Sequence, residues 1–327
     1  MKLNTKRCAA ILLALLLMIT ASGCRQIGSN GKISVVCTVF PQYDWVRQIL
    51  GDKADGMNLT MLLDNKIDLH SFQPSVDDIV KISACDLFIY VGGESDEWVN
   101  DALKEATNKN MVVINLLDTL GDAAKIEEII EGMEEEAEES EEVEIEDEIE
   151  YDEHVWLSLK NARIFCAVIT SALSSLDAGN AETYKNNLKA YIEKLSALDS
   201  EYRTAVNAAP VKTLLFGDRF PFRYLVEDYG LNYYAAFVGC SAETEASFET
   251  IIFLANKVNE LNLKNIMVTE SSDTAIAKTI INNTPGKNQQ ILVLDSMQSV
   301  TSNDVINGAT YLSVMENNLN VLKEALK

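Results

Sequence analysis

Apolar residues along this chain fall into two rhythms. In the first half, short continuous runs cover Ile33 to Phe40 (ISVVCTVF), Met57 to Leu63, Leu87 to Val91 and Met111 to Leu116; in the second, Val211 to Phe216, Leu231 to Val238, Asn265 to Thr269 and Ile291 to Leu294. A strand that is apolar at nearly every position has both faces covered, which is the condition of a parallel sheet. Between these runs the apolar positions recur at helical spacing. Examples are Trp45, Val46, Ile49 and Leu50 within Gln42 to Leu50, and Val76, Ile79, Val80 and Ile82 after Pro74-Ser75. The same spacing predicts helices over Asp96 to Thr107, Leu159 to Leu173, Phe222 to Tyr229, Phe248 to Leu261 and Ala275 to Asn283, and one or two over Asp304 to Leu326. Strand and helix alternate, so each half is expected to form an α/β lobe with a mainly parallel sheet flanked by helices.

One helix is of another length. From Ala181 to Asn207, residues Tyr184, Leu188, Tyr191, Leu195, Leu198 and Tyr202 alternate at spacings of four and three, and Pro210 ends the pattern. Such a seam spans about 40 Å, the length of a two-lobed protein. It could zip two chains together as a coiled coil, but its α/β flanks favour packing on its own chain, and a monomer is expected. The organisation read from the pattern is an N-terminal lobe over 25–176 with an acidic insert at about 122–150, a linking helix over 177–210, and a C-terminal lobe over 211–327.

The first residues follow a different logic. Lys2, Lys6 and Arg7 precede an apolar stretch, Ala9 to Ile19, of eleven residues. That is too short to cross a hydrocarbon core of about 30 Å as a helix, and it has the layout of an export signal. It closes on Ala21-Ser22-Gly23-Cys24, which resembles a bacterial lipobox. The expectation is a signal over 1–24, lipidation of Cys24, a polar tether from Arg25 to Lys32, and a mature protein held at the outer face of a bacterial cell membrane.

Composition narrows the partners. Acidic residues outnumber basic ones by 50 to 27, for a net charge of −23, which disfavours nucleic acid and anionic lipid surfaces and favours cations. Seventeen acidic residues and no basic one lie between Glu127 and Glu153. This insert, with a helical beginning near Ile126 to Ile130, is either a solvated loop or a weak collector of cations. Cys37, Cys85, Cys166 and Cys240 are scattered without metal-ligand spacing and read as buried thiols, with a Cys37 to Cys85 disulfide also open.

The chain has only two histidines, His70 in DNKIDLHSFQPS and His154 in DEHVWL. Each stands beside carboxylates in a short polar segment, and together they suggest two parts of one metal site. In open α/β sheets ligands lie beyond the carboxyl ends of the strands. The polar residues there are His70, Asp218, Glu270 and Asp273. Two imidazoles and two carboxylates would form a closed four-ligand set for a divalent transition metal.

The ordered motifs TVFPQYDWVRQILGDKA, LHSFQPSVDDIVKISACDLFIYVGG, DEHVWLSLKNAR, YKNNLKAYIEKLSALDSEYR, YLVEDYGL and VTESSD resemble the zinc- and manganese-binding solute-binding lipoproteins of bacterial ABC importers, from about Val35 to Leu294. The resemblance implies two α/β lobes bridged by a rigid helix, and capture of Zn2+, with Mn2+ as the alternative, for delivery to a permease and ATPase. It places the first two ligands at His70 and His154. At the third, where the family carries histidine or glutamate, this chain reads FGDRFPFRYL. Strict counting from Tyr224 gives Arg219, which has no lone pair to offer a cation, and an adjustment by one residue gives Asp218. The fourth is Asp273, with Glu270 as the fallback. A metal-dependent hydrolase and a surface adhesin with a structural metal are the other classes. The chain has no HExxH pattern to support a hydrolase, and a binding protein needs no catalytic base.

Overall fold

The computed structural model describes residues 31–134, 150–241 and 245–327. The expected signal, Cys24 and most of the tether lie outside these residues, as does the centre of the acidic insert.

Two four-stranded parallel sheets form the framework. The first contains β1 (Ser34–Cys37), β2 (Asn58–Met61), β3 (Leu87–Tyr90) and β4 (Val112–Asn115), in the order β2-β1-β3-β4. The second contains β5 (Thr213–Phe220), β6 (Asn232–Val238), β7 (Asn265–Val268) and β8 (Gln290–Val293), in the order β6-β5-β7-β8. Both orders reverse direction beside the first strand of the lobe, which opens a crevice at that strand's carboxyl end.

The helices of the first lobe are α1 (Phe40–Leu50), α2 (Val76–Ala84), α3 (Trp98–Lys104), α4 (Leu116–Leu120) and α5 (Leu159–Leu176). Next comes the long helix α6 (Ala181–Ala208), then α7 (Arg223–Tyr229), α8 (Phe248–Glu260), α9 (Ala275–Asn283), α10 (Ser302–Ile306) and α11 (Tyr311–Ala325). The seam of α6 is buried at Tyr184, Tyr191, Leu195, Leu198, Tyr202 and Val206. It packs on α1, α5 and α11 of its own chain.

Three local expectations are corrected. Strand β1 stops at Cys37, because Phe40-Pro41 already begins α1, where a proline in the first turn costs no hydrogen bond. Ile126 pairs with Tyr151 in an antiparallel bridge and the Glu127 amide donates to the Glu150 carbonyl, so the insert leaves the lobe on an extended stem where the sequence predicts a helical start. Strand β5 continues past Phe216 to Phe220 through a register shift between Phe216 and Arg219. Cys37 and Cys85, for which a disulfide was open, are free buried thiols, as is Cys166.

The C-terminal helix ties the lobes together. Tyr311, at its start, is fully buried; its N–H donates to Asp44 in α1 at 2.9 Å and its hydroxyl to the Trp156 carbonyl at 2.7 Å. Trp156 in turn donates to the Ser296 carbonyl at 2.9 Å. One hydrophobic cluster consequently runs from Val35 to Leu326 through both lobes, while a smaller one fills the outer part of the second.

Candidate metal centre

His70 lies in a 3-10 turn, Leu69–Ser71, just beyond β2. Asp68 starts the turn by accepting the His70 N–H at 3.1 Å, and buried Leu69 and Phe72 on either side anchor it to the core. The ring is thereby turned inwards. Its Nδ1 sits 2.7 Å from the Ser95 hydroxyl and 3.5 Å from a Glu153 carboxylate oxygen.

His154 is fully buried, just before the 3-10 turn Val155–Leu157. One oxygen of Asp152 accepts both its backbone N–H at 2.8 Å and its ring Nδ1–H at 3.1 Å. With Nδ1 committed as donor, the neutral ring presents Nε2 as an acceptor. This nitrogen lies 3.3 Å from Nε2 of His70.

That separation has a chemical meaning. Two nitrogens bound at about 2.0–2.1 Å to one tetrahedral ion stand roughly 3.3 Å apart, the chord of the tetrahedral angle. Without an ion a single proton bridges the two nitrogens, and an ion can take that proton's place at the same spacing. The electrostatics agree. Burial, helped by the neighbouring His154, pulls His70 down to about 3. Burial also opposes the charge on His154, but Asp152 leads the carboxylates that outweigh it and raise this ring above its ordinary value. Glu153 is pushed up to about 7 by burial.

Among the described residues, the group able to offer three ligand atoms to one ion is His70, His154 and Cys240, whose atoms all lie within 4.8 Å of one another. Cys240 follows Gly239 just past the end of β6. Nothing in its spacing marks it in the sequence; the available signal is its place beyond a strand's carboxyl end, the same criterion that singles out Asp218.

The two carboxylates expected beside the histidines sit elsewhere. Asp218 lies in the irregular part of β5, where one oxygen accepts from the Thr269 N–H and hydroxyl at 2.9 and 2.6 Å and the other from the Arg219 N–H at 2.8 Å. Asp273 accepts from the Ala275 N–H at 2.8 Å, at the start of α9. Both line a cavity of about 370 Å3 together with Asp68, Ser71 and Arg219. Glu270 is taken up by the Ser296 N–H and hydroxyl and the Gln298 N–H. Arg219 reaches across to Asp68 at 2.7 Å and donates to the Ser241 carbonyl at 3.2 Å, linking the lobes next to the histidines.

The profile of the family described as "zinc-uptake complex component A periplasmic" matches residues 35–325. This chain belongs to that family. A zinc-binding lipoprotein, AdcA, from Streptococcus pneumoniae is 30% identical over 98% of the chain, although the chain spans only 61% of that relative's length. The high-affinity zinc uptake system protein ZnuA of Bacillus subtilis is also 30% identical, over 90% of the chain and 88% of its own. The crystal structure of the Zn(II)-bound ZnuA-like domain of pneumococcal AdcA superposes with a TM-score of 0.68 at 29% identity, covering 90% of this chain and 99% of that one. The family is one of solute-binding components, and the two-lobed fold with its long helix is the family's.

Proposed function

We propose that this chain captures a divalent metal ion outside the cell membrane and delivers it to the permease and ATPase of an ABC importer, with Zn2+ as the cargo and Mn2+ the weaker alternative. It acts by binding, as a monomer, and is tethered to the membrane by a lipid on Cys24. The observation that carries the reading is the pair of Nε2 atoms 3.3 Å apart, one of them kept as an acceptor by the hold of Asp152 on Nδ1–H of the same ring. Both imidazoles come from the N-terminal lobe, and the C-terminal lobe closes over them, which removes the ion from water. Asp218 and Asp273, in the adjoining cavity, supply negative charge on the ion's way in.

Calorimetry on the metal-free mature protein tests this. One Zn2+ per chain is expected, and His70→Ala or His154→Ala should each weaken binding by at least about 100-fold, since a direct ligand is worth more than an outer-shell partner. Undiminished binding in both variants would remove the reading.

A further inference from the structure

We propose that Cys240 is the third protein ligand, so that two imidazole nitrogens and one thiolate hold the cargo. The inference rests on the metal-binding reading above and specifies its donor set. Three observations support it independently of one another.

The first is distance. The Cys240 Sγ lies within 4.8 Å of a ring nitrogen of each histidine, whereas the nitrogen to sulfur edge of a tetrahedral zinc site is roughly 3.5 Å. Rotation about the Cα–Cβ bond moves a sulfur by that difference.

The second is the way the turn is held. A Cβ at residue 239 would stand 3.1 Å from Cε1 of His154 and 2.9 Å from the Phe220 carbonyl, so glycine lets the backbone before Cys240 lie against the imidazole. Arg219 grips the Ser241 carbonyl on the other side while pairing with Asp68, two residues before His70. The Glu127 carboxylate accepts the Cys240 backbone N–H at 3.0 Å. A sulfur placed only to fill space needs none of this.

The third is a group on the remaining side. Gln298 is nine-tenths buried, its Nε2 is 3.3 Å from Nε2 of His154, and its Oε1 has no hydrogen-bond partner. Turning this amide end for end, a choice the heavy atoms leave open, directs the unpartnered oxygen towards the ion. On binding, the thiol's proton leaves to solvent, and the sulfur's electron pair forms the bond to the metal.

A thiolate is a soft donor, so it favours Zn2+ over Mn2+. The test loads the full mature chain with Co2+ as a spectroscopic probe. The expected result is a near-ultraviolet thiolate-to-cobalt charge-transfer band that disappears in Cys240→Ser while the visible ligand-field bands persist. Zn2+ affinity in Cys240→Ser should fall by about 100-fold and Mn2+ affinity by much less, and Cys240→His should restore Zn2+ binding without the band. Visible bands in the wild-type protein with no charge-transfer band would overturn the thiolate and leave the importer reading standing. A wild-type chain that takes up neither Co2+ nor Zn2+ would overturn both.

Discussion

The two histidines are chemically unequal despite facing each other. His70 is held neutral down to about 3, whereas His154 is biased towards its charged form by Asp152. At this distance the pair titrates as a unit, with room for one proton. The pH dependence follows from the signs. His154 binds a proton that the metal must displace once pH falls through its raised value, while His70 has none to lose. Proton release on Zn2+ binding, measured by calorimetry in buffers of different ionisation enthalpy, should therefore rise by about one as the pH falls through the raised value of His154. An increase of two would show that both rings charge. Asp152→Asn should move this step to lower pH and weaken binding about 10- to 100-fold at neutral pH, because the amide no longer stabilises charge on the ring. Glu153, by contrast, lies against both the His70 ring and the Ser95 N–H.

Among the elements, the strand ends decide what can reach the two histidines. The apolar run predicts that β5 stops at Phe216 and exposes Asp218 in the loop beyond it. The strand instead continues through an irregularity that turns Asp218 onto Thr269, just past β7. Gly217 permits this, since a Cβ there would stand 2.7 Å from the Ala277 backbone. Hydrophobicity marks where a strand is apolar; it does not show where hydrogen bonding to the neighbour stops. Strand β6 ends where its apolar run ends, at Val238, and so delivers Gly239-Cys240 to the histidines. Gly239→Ala should shift the turn against the His154 ring, because a methyl group would stand 2.9 Å from the Phe220 carbonyl and 3.1 Å from the ring. The expected outcome is a loss of Zn2+ affinity with little change in thermal stability, read by calorimetry alongside a melting curve. Unchanged affinity would show that the turn has space to shift.

Taken together, the lobes are not independent units joined by a rod. Helix α11 returns to the first lobe, where Tyr311 donates to Asp44 and to the Trp156 carbonyl inside a shared core. All three tryptophans, Trp45, Trp98 and Trp156, lie in the N-terminal lobe. Urea unfolding followed by tryptophan fluorescence should therefore coincide with unfolding followed by circular dichroism, which reports both lobes. Tyr311→Phe should lower stability by about 1–2 kcal/mol, since it strands the buried Trp156 carbonyl, while leaving one Zn2+ bound per chain. Two separated transitions would show lobes that fold alone.

The elements and their class were legible in the amino-acid order alone. Continuous apolar runs, helical spacing and one long seam depend on the chain's own periodicity, which physical chemistry converts directly into strands, helices and covered sheets. His70 and His154 stood out as well, because two histidines beside carboxylates are conspicuous in 327 residues. Which other groups stand near them emerged only from the folded arrangement. Asp218 and Cys240 both follow apolar strand residues, and no local pattern distinguishes them. The difference arises from register between neighbouring strands, from a hydroxyl on Thr269 that occupies one side chain, and from a glycine that lets the other approach. Those are contacts between segments remote in sequence, fixed by packing across the sheet, and periodicity carries no record of them.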